Sequence, residues 1–252
     1  MKRREIYSDL RCIPPFIVRI DGRNFRNALS RMGFKKPYDE RFTSAIVNSI
    51  VTFFKKSGLG PVLAYTFSDE ISFLFKNDVF DCRIEKIDSI IPSFISSAFT
   101  MELKPQEAIA FDSRVIPLHE DDINLYLQWR QEEAWRNCIN SYAYHTLLSE
   151  GLNEEEAAMQ LKRKKNSDMH ELLFSRGLNI SKVPAWQKRG IMVFKAREQI
   201  EGFNPNINEK VKSNRTKVFV DRDIPLFSSE QGNTFLKKAI SGNIDRDTRQ
   251  SI

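Results

Sequence analysis

"VLAYTFSDEISFLF", residues Val62 to Phe75, is where the fold is decided. Two β-rich runs, Val62–Phe67 and Ile71–Phe75, flank the polar triplet Ser68-Asp69-Glu70, and neither run contains Gly or Pro. Branched and aromatic residues suit a pleated surface, so the stretch predicts a hairpin with carboxylates at its turn. Upstream, Phe42, Ala45, Ile46, Ser49, Ile50, Phe53 and Phe54 recur at helical spacing, with Gly58 as a stop. Before that, "FIVRIDGRNF" (Phe16–Phe25) holds a strand, Phe16–Ile20, that ends on Asp21 and Gly22. Downstream, Ile84–Leu103 predicts a helix, kinked or stepped at Pro92 because proline has no amide to donate. A last strand lies in "AIAFDSRVIPL", from Ala108 to Leu118.

The order is therefore strand, helix, hairpin, helix, strand. This βαββαβ series predicts an α+β fold, a ferredoxin-like or polymerase-palm-like antiparallel sheet with flanking helices. From about Glu120 the composition turns to long helical segments with a mixed face, and strand-like "IMVFKA" and "KVFVDRDIPLF" come late. Residues 1–133 are expected to form the palm-like part and 134–252 a helical C-terminal part.

The chain of 252 residues is 41% hydrophobic, enough for a sizeable core. Lys and Arg number 39 against 33 Asp and Glu, a net +6, which fits a polyanionic partner. The basic runs fall in the second half: Lys162, Arg163, Lys164 and Lys165; Lys188 and Arg189; and Lys210, Lys212 and Arg215 within "KVKSNRTK". Any one run alone is accounted for as a solvated surface. No apolar run of about 18 residues occurs, and "MKRREIYSDL" lacks the apolar stretch of a secretory leader, so no membrane role and a cytoplasmic site are expected. Cys12, Cys82 and Cys138 show no paired spacing and read as reduced thiols. His119, His145 and His170 show no ligand spacing.

In a βαββαβ sheet the end of the first strand lies beside the tip of the central hairpin, so Asp21 would face Asp69. Two carboxylates there can hold two divalent cations for in-line phosphoryl or nucleotidyl transfer, and Mg²⁺ suits oxygen ligands. Gly22, without a Cβ, lets backbone approach a metal or a triphosphate, and the amides of Arg23, Asn24 and Phe25 can cradle phosphate oxygens. An Asp-Gly turn and an ordinary hairpin tip explain each motif alone; the two together point to a metal site. Glu70 is expected on the face opposite Asp69, unless the tip is irregular.

The stretches "VRIDGRNF" (Val18–Phe25), "FKKPYDER" (Phe34–Arg41), "FSDEISFLF" (Phe67–Phe75), "FDSRV" (Phe111–Val115), "WRQEEAWRNCINSYAY" (Trp129–Tyr144) and "ELLFSRG" (Glu171–Gly177) resemble the tRNA-His guanylyltransferase family. The closer likeness is to its archaeal and bacterial "like" proteins. The resemblance implies a palm enzyme that adds nucleotides to the tRNA 5′ end in the 3′-to-5′ direction. It further implies two Mg²⁺ ions, tRNA, GTP, ATP and other nucleoside triphosphates as partners, and a homo-oligomer, dimer or tetramer. By the same resemblance Asp21, Asp69 and Gly22 hold metal, and Glu70 is a further catalytic carboxylate. Gly22, Arg23, Asn24, Phe25, Lys36 and Ser68 meet the nucleotide. Arg19 matches a basic residue preceding the metal aspartate, and Arg130, Arg136 and Asn137 are candidates for the tRNA 5′ end, beside the basic runs.

The chain departs from the eukaryotic pattern in reading "WRNCINS" (Trp135–Ser141) where those members read His-Ile-Asn-Asn-Leu-Tyr-Asn, and Met169 where a lysine is expected. That fits template-dependent repair of truncated tRNA better than strict tRNA-His selectivity. Trp135 and Tyr142 suit either base stacking or core. Two rivals stay open: a cyclase-type palm, which uses carboxylates at the same strand ends, and a non-catalytic RNA-binding module.

Overall fold

The structure, a computed structural model, describes residues 4–23, 25, 32–204, 209–242 and 244. β1 (Phe16–Arg23), α1 (Glu40–Lys56), β2 (Leu63–Phe67), β3 (Glu70–Phe75), α2 (Ile84–Leu103) and β4 (Ala110–Pro117) follow one another in the expected βαββαβ order. The late strand-like runs become β5 (Ile191–Asn204) and β6 (Glu209–Asp221), both longer than their apolar cores. They join the same sheet, whose order is β4-β1-β3-β2-β5-β6 with every pairing antiparallel. β5 pairs with β2 only over Ile191–Phe194; beyond that, β5 and β6 run on as a two-stranded ribbon.

Both faces of the sheet are covered, which is why the hairpin strands are apolar at nearly every position. Phe16, Val18, Ile20, Ile71, Phe73 and Phe75 pack beneath α1 and α2. Ile17, Leu63, Tyr65, Phe67 and Leu74 face the other way, against Ile123, Tyr126 and Leu127 of α3 (Asp122–Ser149) and Phe235 and Leu236 of α7 (Glu230–Ser241). Each such side chain contributes about 1.5–3 kcal/mol of burial. A third core joins the second half of α3 to α4 (Glu154–Leu161) and α5 (Asn166–Ser175), through Cys138, Ala143, Leu147, Ala157, Leu161 and Leu173. α6 (Ala185–Arg189) leads back to the sheet.

α3 thus serves two cores in one unbroken helix of 28 residues. Its mixed face has a physical cause: the buried side shifts from Ile123, Tyr126, Leu127, Arg130 and Gln131 to Cys138, Ile139, Ala143 and Leu147. Leu125 and Trp129 stay exposed.

α1 starts at Asp39, whose carboxylate accepts from the amides of Lys35 (2.7 Å) and Arg41 (2.8 Å) and from the Arg41 guanidinium. That guanidinium, with the two amides, holds the Asp39 carboxyl well below the usual carboxylate range. α2 runs through Pro92 as one segment. The missing proline amide frees the Asp88 carbonyl, which accepts from the Ser113 hydroxyl of β4 at 3.0 Å. The cysteines are free and buried, and burial pushes the Cys12 and Cys138 thiols up to about 12 and about 11.

Candidate active site

β1 extends through Asp21, which pairs with Asp112 of β4. β2 and β3 close on Phe67 opposite Glu70, leaving Ser68 and Asp69 as a two-residue turn. Ser68 adopts φ 52°, the left-handed region, and its hydroxyl donates to Asp69 Oδ1 at 3.0 Å. Asp69 is half-buried. A Cβ on Gly22 would lie 2.7 Å from Asp69 Oδ2 and 2.4 Å from Phe25 Cδ2, so only glycine lets β1 pass this close to the hairpin tip.

Burial pushes the Asp69 carboxyl up, and the negative charge of Asp21 pushes it further; the Ser68 hydroxyl and the charge of Lys36 partly offset this. Two carboxylates that repel across a half-buried gap are short of positive charge, and a hard divalent cation supplies it. The donors are all oxygen, which suits Mg²⁺. Among the described residues no cluster of three or more His, Cys, Asp or Glu exists, so the chain offers a partial shell rather than a full cage.

Two clefts meet at the hairpin tip. The smaller, about 320 Å³, is walled by Arg19, Asp21, Glu70, Arg114, Trp129 and Glu133. The larger, about 1130 Å³, lies between residues 34–43 and a stripe of α3, with Lys35 and Lys36 on one side and Asn140, Ser141 and Tyr144 on the other. Phe67, Ser68, Asp69 and Asn137 line both. Glu70 points to the α3 face, where Arg130 holds both its oxygens, Nε to Oε1 at 2.8 Å and Nη2 to Oε2 at 2.6 Å. Burial raises the Glu70 carboxyl, and these bonds offset that only in part.

Residues 1–119 match the family described as tRNAHis guanylyltransferase, and residues 121–226 match its C-terminal domain. The chain belongs to the tRNA-His guanylyltransferase family. The tRNA(His) guanylyltransferase of Candida glabrata is 30% identical over 194 residues, 70% of this chain and 81% of that protein. A bacterial tRNA-His guanylyltransferase-like protein solved in complex with GTP superposes with TM-score 0.73 at 26% identity, over 95% of this chain and 96% of that one. The bacterial like protein in complex with ATP gives 0.74 at the same identity and coverage. Family membership makes the chain a nucleotidyltransferase with a metal-dependent reaction.

Against the family's expected sites, the fold brings Asp21, Gly22, Asp69, Ser68 and Lys36 to one place, with Glu70 behind the tip. Phe25 is buried against Phe99 and Phe111, so its ring is core, at the border of the large cleft. Arg23 is exposed at the end of β1; Asn24 lies outside the described residues. Arg19 is half-buried, its guanidinium 5.6 Å from the Trp129 ring.

The expected tRNA contacts separate. Lys162, Arg163, Lys164, Lys165 and Arg215 are exposed, and Lys162 stands on the rim of the large cleft. Asn137 is exposed between the clefts, and Arg136 is exposed but paired with Glu133. One of the set needs correction: Arg130 is 6% exposed and committed to Glu70 through two bonds, so it offers no free guanidinium to a phosphate. Arg189 is half-buried, with Nη1 donating to the Ile224 carbonyl at 3.2 Å. Lys188 donates to the Ser181 carbonyl. The side chains of Lys210 and Lys212 lie outside the described ones.

Trp135 is partly buried against the third core, the Tyr142 hydroxyl donates to Gln187 at 2.6 Å, and Met169 is buried there. What sequence reasoning missed is the rest of the cleft wall on α3, which continues from Asn137 through Asn140, Ser141, Tyr144, His145 and Leu148. Their spacing of three and four residues is a helical stripe, hidden because most of it is polar.

Proposed function

We propose that this protein adds nucleotides to the 5′ end of tRNA in the 3′-to-5′ direction, and that its main task is templated repair of truncated tRNA. The observation that carries this is the meeting of two clefts at one acidic pair. Joining two anionic substrates needs two approaches to the metal; closing one triphosphate on itself needs only one, which disfavours the cyclase. The bacterial like protein's complexes with GTP and ATP support a nucleoside triphosphate as ligand, and the larger cleft, about 1130 Å³, has room for one.

Asp21, Asp69 and the Gly22 carbonyl would hold Mg²⁺, with phosphate oxygens and water filling the shell. Two such ions, when bound, would activate the attacking 3′-hydroxyl and neutralise charge on the phosphorus and its leaving group. The chain's own groups bind and orient. Lys36, exposed beside Asp69, takes the triphosphate, and the Ser68 hydroxyl keeps the Asp69 carboxylate turned. The exposed run Lys162–Lys165 takes RNA phosphates. Trp135 and Met169, where eukaryotic members carry histidine and lysine, pack into a helical core, which supports pairing rather than tRNA-His identity as the guide.

The test is extension of end-labelled tRNA with Mg²⁺ and each nucleoside triphosphate singly, on full-length tRNA-His and on tRNA lacking its first nucleotide. Growth of the truncated tRNA only by the complementary nucleotide is the expected result. Addition of G to full-length tRNA-His alone would replace repair with identity-setting transfer, and no growth of either would overturn the reading.

A further inference from the structure

α3 follows β3 rung by rung. The hydroxyls of Tyr126 and Ser72 are 2.9 Å apart; four residues on along the helix, Arg130 meets Glu70, two residues back along the strand. Those steps of four and two keep both pairs on the shared face. The Arg130 and Glu70 side chains are 7% and 13% exposed, and the guanidinium sits 4.4 Å from the Trp129 ring centre and 5.4 Å from that of Phe67. A planar fork held by two bonds and flanked by two aromatic rings has little freedom to turn. Glu70 follows Asp69, and Phe67 precedes Ser68, so Arg130 grips both residues that flank the two-residue turn. Thr66 adds a second tie across the tip, donating to the Glu70 carbonyl at 2.7 Å.

We infer that Arg130 is a positioning residue for the cation site: by clamping Glu70 and lying on Phe67 it holds the Ser68-Asp69 turn so that the Asp69 carboxylate stays against Gly22. A two-residue hairpin tip is ordinarily among the looser parts of a sheet, and this one carries a residue in the left-handed region. The clamp supplies the rigidity that a metal ligand needs. It rests on the nucleotidyl-transfer reading only in taking Asp69 as a ligand.

The experiment uses the full chain with Arg130→Lys, which keeps the charge and loses the fork, Glu70→Gln, which keeps the shape and loses the charge, and the double variant. Mn²⁺ binding without nucleotide is followed by electron paramagnetic resonance, with Asp69→Asn identifying site-bound metal. Thermal unfolding, and kcat and KM in tRNA extension, are measured alongside. Each single variant is expected to weaken Mn²⁺ binding about ten-fold or more, the usual scale for a residue that holds a metal ligand in place. kcat should fall with nucleotide KM within about two-fold, and the double variant should be no worse than the worse single, as members of one clamp are non-additive.

Parental Mn²⁺ affinity in folded Arg130→Lys would overturn the inference. So would loss in Glu70→Gln alone, which makes Glu70 a ligand, or a lower melting temperature with kcat unchanged, which makes the pair scaffolding. Failure of both single variants to fold also assigns the pair to stability and overturns it. Asp69-dependent Mn²⁺ binding by a parent that transfers no nucleotide would sink the proposed function and leave the clamp judged on metal alone. Absence of such binding in the parent would sink the clamp.

Discussion

The two clefts share a wall and differ in almost everything else. The small one is lined by charges of both signs and tightly tied, with Glu70 locked to Arg130 and Arg19 lying near Trp129. The large one is roomier, edged by Lys35, Lys36 and Lys162 together with Glu154 and Glu155, and walled by amide and hydroxyl groups of α3. The contrast teaches a division of labour: charge for chemistry is fixed on one side of Ser68-Asp69, and room for a bulky polyanion lies on the other.

Breaking the shared wall should have the largest effect. Asp69→Asn is expected to lower tRNA extension by at least about 10³-fold, since the proposed function makes this carboxylate a metal ligand. The same variant should melt higher than the parent when metal-free. The folded-state pKa of Asp69 is raised, so its ionised form costs stability once pH has risen past the unfolded value, and the amide carries no such cost. A lower melting temperature by calorimetry at neutral pH would contradict this. Gly22→Ala comes next: its Cβ meets Phe25 and Asp69, and a displacement near 1 Å costs about 10²-fold in rate. Single-turnover extension under saturating nucleotide measures it.

Smaller changes sharpen the difference between the sides. Lys36→Ala should raise the nucleotide KM about ten-fold, the scale of one charge-assisted bond, while Arg114→Ala in the small cleft leaves that KM unchanged. Equal effects in steady-state kinetics would dissolve the division. Replacing Lys162, Arg163, Lys164 and Lys165 by Gln should reduce the slope of log affinity against log salt by about 0.7–0.9 for each phosphate no longer neutralised, read from tRNA binding across a salt series. The smallest effect is Asp39→Ala, about 1 kcal/mol less stable by urea unfolding at pH 7, the usual cost of losing an N-cap side chain. Its folded pKa is depressed, so that contribution is present above the unfolded value and lost as pH falls toward the folded one.

Much of this was legible because it is local. The hairpin at Val62–Phe75, the strand into Asp21 and the face of α1 all announce themselves through spacing within a few residues. Hence Asp21, Gly22 and Asp69 could be placed together from the order of elements alone. Arg130 could not, since its partner is 60 residues away and an arginine within "WRQ" looks like surface. β5 was visible as a strand, but its seat beside β2 depends on a non-local pairing, and its later residues pair only with β6 and need no apolar pattern. The stripe on α3 escaped because a wall built for a polar ligand carries no hydrophobic period.

In mechanical terms α3 is a beam built into both bodies. It contains neither Gly nor Pro, and at about 1.5 Å per residue it spans the sheet and the helical core as a single stiff member. Anything seated in the large cleft therefore lies against a wall anchored in two cores at once.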